Sequence, residues 1–433
     1  MSKTVTVVGA GLAGCEAAWA LANRGIAVRL VEMKPEHKSP AHHSDDFGEL
    51  VCSNSLKAMR IDSAAGLLKA EMRQLGSLIL QAAQETSVPA GGALAVDRAL
   101  FSAYITEKIR SHPAISVEHA RVEQIPDSPA IIATGPLTDG ALAQAIAEKS
   151  GQDALSFFDA AAPIVTRESI DMDKAYLKSR YDRGDGDDYI NCPMDEQTYT
   201  RFVTELLNAQ TAPVHGFEEN MLFEGCMPIE SMARRGFQTL AFGPLKPIGL
   251  EDPRTGKMPF AVVQLRQDDA SASMYNLVGF QTRLKFPEQK RVFSLIPGLE
   301  NAQFVRYGVM HRNTYLRSPG FLNANYEVIA CPGLYFAGQI TGVEGYVESA
   351  ASGLTAGIAL AAALKGMPAP DFTARTVIGG LGRYISAPHS RFDPMNANFS
   401  IVEPLPGRYK NKKLKYAAYA ERSLAHISGM LLP

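Results

Sequence analysis

Two cysteines in this sequence have neighbours that favour a reactive thiol. Cys52 is followed at residues 53–55 by Ser-Asn-Ser, residue types that cap helices, so we expect it at a helix amino terminus. Backbone N–H groups at such an end lower the pKa of a thiol. Cys226 follows a glycine and lies two residues before Pro228, which predicts an open turn that presents the side chain. Either thiol could act as a nucleophile or carry a proton; the alternative for each is a small buried apolar side chain.

The other cysteines give no sign of a metal site or a disulfide framework. The chain has five widely spaced cysteines, the other three being Cys15, Cys192 and Cys331. An odd number without a C-x-x-C pair argues against a disulfide framework, a zinc ribbon and a dithiol redox centre. We therefore expect no metal site. Reduced thiols and a start without the features of a signal peptide predict a cytoplasmic protein.

A glycine-rich turn near the amino terminus predicts a dinucleotide site. Residues 9–14 read Gly-Ala-Gly-Leu-Ala-Gly, after a predicted strand over 5–8 and before a predicted helix over 12–23. Such glycines let the backbone approach a pyrophosphate, and Glu32, at the end of the next predicted strand, suits ribose hydroxyls. An acidic residue there disfavours a 2′-phosphate, so the turn predicts FAD or NAD. The predicted contacts are Gly9, Ala10, Gly11, Leu12, Ala13, Gly14 and Glu32.

Two further glycine segments favour FAD over NAD. Residues 131–135 read Ile-Ile-Ala-Thr-Gly, and residues 335–338 read Tyr-Phe-Ala-Gly. They resemble the second and third signatures of the glutathione-reductase type of FAD fold, and they occur in the right order. Their predicted cofactor contacts are Thr134, Gly135, Gly338 and Gln339.

The elements that position these segments predict an α/β protein with a discontinuous main domain. A chain of 433 residues exceeds what one core usually covers. We expect a Rossmann-like FAD-binding domain of glutathione-reductase type from residues 1–150 and 310–433. An inserted α+β domain over 151–309 would carry Cys226. We also expect helices over 66–84 and 97–110, irregular structure over 33–63, and a packed small-residue helix over 350–364 that is too short to span a membrane.

Seven segments distributed along the chain carry a family resemblance. They are residues 8–18 (VGAGLAGCEAA), 39–42 (SPAH), 50–56 (LVCSNSL), 223–236 (FEGCMPIESMARRG), 242–249 (FGPLKPIG), 308–315 (GVMHRNTY) and 338–350 (GQITGVEGYVESA). Through them the chain resembles the folate- and flavin-dependent tRNA uracil-5 methyltransferases, the smaller relatives of the GidA flavoproteins. The segments span nearly the whole chain, so the resemblance extends beyond a shared domain.

The resemblance implies a specific reaction and specific roles for the two thiols. The reaction is formation of 5-methyluridine in the T-loop of tRNA, with methylenetetrahydrofolate as carbon donor. Reduced FAD supplies electrons and is itself re-reduced by NADPH or NADH. Cys226 aligns with the nucleophile and Cys52 with the second catalytic cysteine, an acid/base partner. His42 aligns beside the expected pterin site; a loop histidine without a role is the alternative.

The tRNA partner requires a basic surface, which the net charge of −2 does not exclude. One basic group contains Arg283, Lys285, Lys290 and Arg291. A second, near the carboxy terminus, contains Arg408, Lys410, Lys412, Lys413 and Lys415, together with Tyr409 and Tyr416. We expect the second group to contact RNA phosphates, although a solvated charged face is the simpler interpretation of any single residue. No obligate protein partner and no membrane contact are predicted.

Two alternative functions remain open at this point, and a third is disfavoured. The same chemistry could act on ribosomal RNA, or the chain could be a flavin oxidoreductase for small molecules. The larger GidA proteins, which modify the wobble uridine with a GTPase partner, carry a long helical carboxy-terminal extension. This chain stops at Pro433, shortly after the third glycine segment, so we expect the smaller type.

Overall fold

The structure is a computed structural model that describes residues 4–151, 155–213, 227–407, 409–430 and 432–433. Its strands are β1 (Val5–Val8), β2 (Val28–Glu32), β3 (Ser55–Ala58), β4 (Ser87–Val88), β5 (Ala93–Val96), β6 (Ile115–His119), β7 (Ala130–Ile132), β8 (Leu155–Ala160), β9 (Ile164–Thr166), β10 (Tyr176–Leu177), β11 (Tyr189–Met194), β12 (Ala261–Gln267), β13 (Met274–Leu277), β14 (Phe304–Arg306), β15 (Met310–Tyr315) and β16 (Leu334–Phe336). Its helices are α1 (Leu12–Ala22), α2 (Ala64–Gln74), α3 (Leu78–Glu85), α4 (Arg98–Ser111), α5 (Gly140–Ser150), α6 (Glu196–Asn208), α7 (Ile229–Arg234), α8 (Thr239–Phe242), α9 (Phe286–Phe293), α10 (Tyr346–Leu364), α11 (Val377–Ser386) and α12 (Lys412–Ser428).

A parallel sheet contains the three glycine segments at its strand ends. Its order is β16-β7-β1-β2-β6, and every neighbouring pair is parallel. The strands β1, β7 and β16 are short apolar runs, as expected of parallel strands that are buried on both faces. The glycine turns follow β1, β7 and β16, so all three meet at the carboxyl edge of the sheet, where open α/β sheets bind ligands.

Small residues set the packing of the helices on this sheet. A Cβ atom at Gly353 of α10 would lie 2.1 Å from the carbonyl oxygen of Ala13, and one at Gly357 would lie 2.8 Å from that of Ala17. Only glycine therefore permits α10 to pack this closely on α1. By length and hydropathy α10 could span a membrane, but 83% of its apolar window is buried inside the protein. It is a packed helix, as predicted, although it begins earlier than expected and is long enough for a span.

A second, antiparallel sheet has a hydrophobic core of its own. Its order is β10-β11-β12-β13-β9-β14, and all its neighbouring strands are antiparallel. Helices α6 and α9 pack with it through buried Tyr199, Phe202 and Phe293. The pair β8–β15 and the small sheet β3-β5-β4 complete the architecture. The predicted α/β class, with a parallel Rossmann-like sheet and a second α+β part, is confirmed.

Two local predictions were wrong. The single helix expected over 66–84 is two helices, α2 and α3, because Gly76 adopts a φ of +83° between them. The buried carboxylate of Glu16 accepts hydrogen bonds from the N–H groups of Leu78 and Ile79 and so fixes the start of α3. The region 33–63, expected to be irregular, contains β3, whose partner β5 could not be recognised from local pattern.

Candidate functional site

A cleft at the carboxyl edge of the parallel sheet brings together most of the residues selected from the sequence. Those that line it are Gly9, Ala10, Gly11, Leu12, Ala13, Glu32, His42, Thr134, Gly135, Gly338 and Gln339. Gly14 does not line the cleft. A Cβ atom there would lie 1.8 Å from the carbonyl oxygen of Gly9, so Gly14 allows the turn to close on α1.

The turn before α1 presents backbone donors to the cleft. Gly9 has a φ of +96°, which favours glycine, whereas Gly11 has an ordinary φ of −74°. A Cβ atom at Gly11 would meet nothing within 4 Å, because it would point into open space. Among the described residues, the cap position of α1 is Gly11, which has no side chain to accept from the first N–H groups. Unsatisfied donors at a helix start, without a side chain in front of them, fit a pyrophosphate.

Glu32 lies beside the turn with its carboxylate largely buried. Its Oε2 accepts a hydrogen bond from the Ala10 N–H at 2.6 Å, and its Oε1 accepts one from the Lys34 N–H at 3.0 Å. Each carboxylate oxygen has a second lone pair, so ribose hydroxyls could still donate to this group. The geometry therefore fits the nucleoside half of a dinucleotide.

The second and third glycine segments line the same cleft. Gly135, with a φ of +75°, faces open space, and the hydroxyl groups of Thr134 and Thr138 hydrogen-bond at 2.6 Å. Gly338 has a φ of +87°, and a Cβ atom there would lie 3.1 Å from that of Ala13. This segment therefore approaches the first turn closely only because residue 338 is glycine.

His42 lies in the cleft as a neutral imidazole. Its Nδ1 is 2.6 Å from the Ser39 hydroxyl oxygen. Burial lowers the pKa of His42, and the opposing influence of Glu49 is smaller. An uncharged ring of this kind presents a flat face for stacking.

Cys52 is not at a helix amino terminus, which corrects the sequence prediction. The chain continues from it into β3, and the Ser53 and Asn54 side chains accept hydrogen bonds from Arg266 at 2.7 and 2.9 Å instead of capping a helix. The Cys52 N–H donates to the Tyr346 hydroxyl at 2.6 Å, and its thiol lies 3.6 Å from the Ala160 carbonyl oxygen. Val51 and Tyr346 line the cleft, so Cys52 is adjacent to it.

Three arginines hold the Cys52 loop through its backbone and side chains. Arg98 donates to the carbonyl oxygens of Leu50 at 2.7 Å and Cys52 at 2.9 Å, and it forms an ion pair with Asp268. Arg306 donates to the Val51 carbonyl oxygen between them. Together with Arg266, these donors fix the loop by charge-assisted hydrogen bonds.

Burial decides the protonation of Cys52. It raises the pKa of the thiol far above its ordinary value, and Asp159 raises it further. The nearby Arg98 and Arg306 lower the pKa by less than burial raises it. The expected lowering of this pKa was therefore wrong, and the thiol is protonated at neutral pH.

Alkylation of Cys52 should therefore be slow at neutral pH and accelerate with rising pH. Only the thiolate reacts, and a free cysteine has a pKa of about 8.5. At pH 8.5 we expect iodoacetamide to modify Cys52 at less than about a tenth of the rate of N-acetylcysteine. Peptide mass spectrometry, with Cys52→Ala to verify the assignment, measures this. Fast labelling at pH 6–7 would contradict the raised pKa.

A buried carboxyl group lies near the same loop. Burial raises the pKa of Glu344 to about 8, and Asp159 contributes in the same direction. The Gln339 side-chain amide donates to Glu344 Oε2 at 2.5 Å. Because Asp159 also acts on the Cys52 thiol, two carboxyl groups and a thiol share this region.

The cleft also contains residues that the sequence analysis missed. Lys34 and Glu49 line it and form an ion pair at 3.8 Å, and Tyr346 and Ser349 line it from the start of α10. Tyr346 and Ser349 lie within the segment 338–350 already selected, so its position was a usable signal. Lys34 and Glu49 lie in a stretch without a periodic pattern, so no feature of the sequence marked them as site residues.

The remaining predicted residues are not brought to the cleft. Cys226 and Arg408 lie outside the described residues. Arg283 is largely buried beside Glu230, Lys285 hydrogen-bonds Gln210, and Arg291 is ion-paired with Glu205 and Glu288. Residues Lys410, Lys412, Lys413 and Lys415 are all exposed, at and before the start of α12. In the part of the chain that the structure describes, no group of three or more His, Cys, Asp or Glu side chains is placed to hold a metal.

Comparison with known proteins identifies the family. A family model described as GIDA, glucose inhibited division protein A, matches residues 4–368. The chain is 57% identical over 428 residues to the methylenetetrahydrofolate–tRNA-(uracil-5-)-methyltransferase TrmFO of Bacillus licheniformis, covering 99% of this chain and 98% of the relative. The chain belongs to the GidA family, among its TrmFO members. TrmFO of Staphylococcus aureus strain Newman is also 57% identical, over 429 residues, with the same coverage of both chains.

Solved GidA structures share the fold. Aquifex aeolicus GidA superposes with a TM-score of 0.67 in its form I crystal and 0.66 in its form II crystal, at 17% and 16% identity. Each match covers 97% of this chain, and 76% and 73% of the GidA chain respectively. The family model and the 57% identity to TrmFO confirm the resemblance stated from the sequence, to the smaller relatives of GidA.

Proposed function

We propose that this protein methylates carbon 5 of the T-loop uridine of tRNA, taking the carbon from methylenetetrahydrofolate and using FAD as its redox cofactor. The observation that carries the proposal is the 57% identity to TrmFO methyltransferases over 99% of the chain. The position of Cys52 supports it, because Val51 beside it lines the same cleft as the glycine turn. A thiol next to a dinucleotide cleft suits a reaction that needs a thiol and a flavin close together.

The chain's own residues suit FAD. The glycine turn would bind the pyrophosphate, Glu32 the ribose, and the segments at Gly135 and Gly338 the remainder of the cofactor. Bound FAD supplies the electrons that complete the methyl group. We propose NADPH or NADH as the source of those electrons. Glu32 disfavours a 2′-phosphate only where FAD binds. It therefore gives no preference between NADPH and NADH, which would bind elsewhere. His42 would stack on the pterin of the folate.

The two thiols would share the chemistry at the uracil ring. Carbon 5 of uracil is a poor nucleophile, and addition of the Cys226 thiolate to carbon 6 would make the ring an enolate that attacks the one-carbon unit. The proton on carbon 5 must then leave before the thiolate is expelled. We assign its removal to Cys52. Because the raised pKa keeps this thiol protonated in the free protein, it must lose its proton before it can accept another.

The proposed domain division follows the two hydrophobic cores. Residues 1–150 and 310–433 would form the FAD-binding domain, and 151–309 the insertion that carries Cys226. The first core contains residues from both ends of the chain, such as Val7 and Leu354, and the second contains residues such as Phe202 and Leu265. The tRNA substrate, with the folate and nicotinamide substrates, implies a cytoplasmic enzyme.

Methylation of a tRNA transcript tests the function. The purified protein, given methylenetetrahydrofolate and NADPH, should form 5-methyluridine at the T-loop, detected by mass spectrometry of nuclease fragments. Ribosomal RNA serves as the parallel substrate. Product in ribosomal RNA alone would favour that alternative. NADPH oxidation without methylation of either RNA would favour a small-molecule flavin oxidoreductase. An unchanged 5-methyluridine content of tRNA in a deletion strain would refute the proposal.

A further inference from the structure

A recess lined by arginines lies outside the cleft, where residues 58–93 meet residues 179–264. Its volume is about 440 Å³. Arg60 lines it from the end of β3, and Arg180 and Arg183 line it from the region between β10 and β11. Among the described residues that form its lining, no side chain is a carboxylate. A concave surface of one charge sign concentrates a polyanion.

The arginines of this recess differ in what holds them. Arg180 donates to the carbonyl oxygens of Ile248 and Lys246 at 2.5 and 2.8 Å, so uncharged acceptors position it without neutralising it. Arg183 is exposed and lies over the Tyr181 ring at 5.6 Å. The guanidinium of Arg60 is paired with Asp62 and half-exposed. The charge of Arg180 and Arg183 is therefore available to a ligand, whereas that of Arg60 is shared with Asp62.

The recess floor is shaped for close approach of a backbone. Residues 90–93, Ala-Gly-Gly-Ala, form part of it. Asp188, from the acidic stretch that follows Arg183, accepts a hydrogen bond from the Gly91 N–H at 2.6 Å, so one carboxylate is held against the floor by the main chain. Small residues beside arginines let a phosphate chain contact main chain and guanidinium groups together.

Arg60 joins this recess to a second one. The second has a volume of about 490 Å³ and is lined by Arg60, Asp62, Lys412, Lys413 and Tyr416. The sequence analysis predicted an RNA contact at this lysine group. A basic surface thus runs from the start of α12 across Arg60 to Arg183, with Asp62 as the one carboxylate among the described residues that line either recess.

The surface ends close to the Cys52 loop. Gln264 of β12 lines the first recess, and Arg266, two residues further along the same strand, binds Ser53 and Asn54. Residues two apart on a strand face the same side and are separated by roughly 7 Å. A polyanion in the recess would therefore lie beside the strand that holds the Cys52 loop.

We propose that this surface, from Lys412 and Lys413 through Arg60 to Arg180 and Arg183, binds the phosphate backbone of the RNA substrate. The inference rests on the proposed function, since it names where the tRNA of that reaction is held. It adds three arginines that the sequence analysis did not select. It also makes both parts of the fold contribute to one RNA-binding surface.

Charge removal at the exposed arginines tests the surface. We expect Arg60→Gln/Arg183→Gln to raise the Kd for a tRNA transcript about tenfold at 0.1 M salt. The slope of log Kd against log salt concentration should fall by about two, one for each lost phosphate contact. Arg180 is left intact because it ties residues 246–248 to the fold. The matched control is Arg29→Gln, an exposed arginine on β2 paired with Glu118.

The outcomes separate this inference from the proposed function. Wild-type protein that methylates tRNA, with a double variant of unchanged Kd and salt slope, would overturn the surface alone. A raised KM for NADPH in flavin reduction without tRNA, with unchanged tRNA affinity, would make the recess a nicotinamide site and also overturn it. Wild-type protein that neither binds nor methylates tRNA would refute the proposed function, and this inference with it.

Discussion

Replacement of Cys226 by alanine should abolish methylation of tRNA while sparing NADPH oxidation. Without a thiolate to add at carbon 6, carbon 5 of uracil stays a poor nucleophile. We expect loss of methyl transfer by at least about 10⁴-fold, as for other enzymes that lose a nucleophile. The rate of 5-methyluridine formation is measured beside tRNA-independent NADPH oxidation, which should stay within about twofold of wild type.

Cys52→Ala is the matched comparison for this variant. If Cys52 carries the proton from carbon 5, its loss should slow turnover by about 10²–10⁴-fold, the usual range for a general acid or base. It should not prevent addition of Cys226 to uracil, so a covalent complex with tRNA should accumulate. Denaturing gels detect that complex. Full methylation by Cys226→Ala would refute the role of Cys226 as nucleophile. A covalent complex formed by Cys226→Ala but not by Cys52→Ala would show that Cys52 is the nucleophile and Cys226 the acid/base group.

Gly11→Ala should yield a folded protein that has lost its flavin. The backbone of Gly11 is ordinary and the space beside it is open, so alanine is tolerated by the protein alone. The added methyl group would stand before the first N–H groups of α1, where the pyrophosphate must approach. We expect the purified variant to be colourless, with at least about a hundredfold weaker FAD binding, equivalent to about 2.7 kcal/mol.

A control variant separates this effect from a general cost of the substitution. Gly429, at the end of α12, also has an ordinary φ, and a Cβ atom there would make only ordinary contacts at 3.5 Å. Gly429→Ala should keep the flavin absorbance of wild type. A yellow Gly11→Ala protein with normal FAD affinity would show that the pyrophosphate does not pass over this turn.

The glycine turn could be predicted from the sequence because its signal is local. Strand, turn, helix and Glu32 follow one another within 32 residues, and their contacts, such as Ala10 N–H to Glu32, are short-range. The environment of Cys52 could not be predicted in this way. Arg266, whose guanidinium binds Asn54, is 212 residues away in sequence, and nothing near either residue marks the pair. The polar residues 53–54 were therefore assigned to a helix start, whereas they accept hydrogen bonds from that arginine.

The arginine recess shows the same limit. Arg60 and Arg183 lie in segments without a motif, and only folding places them on one surface. The lysine group at the start of α12 could be selected because its members are adjacent in sequence. Groups assembled across the two cores require the structure.

Two of the arginines around Cys52 also limit which part of the site can move. Three consecutive carbonyl groups, at residues 50–52, each accept a hydrogen bond from Arg98 or Arg306, so the loop cannot shift without losing several charge-assisted bonds at once. These donors come from α4 and from β14, on different cores. Cys52 is thus held in place in the free protein, and if it acts on the uracil, as proposed, we expect the flipped base to move toward it.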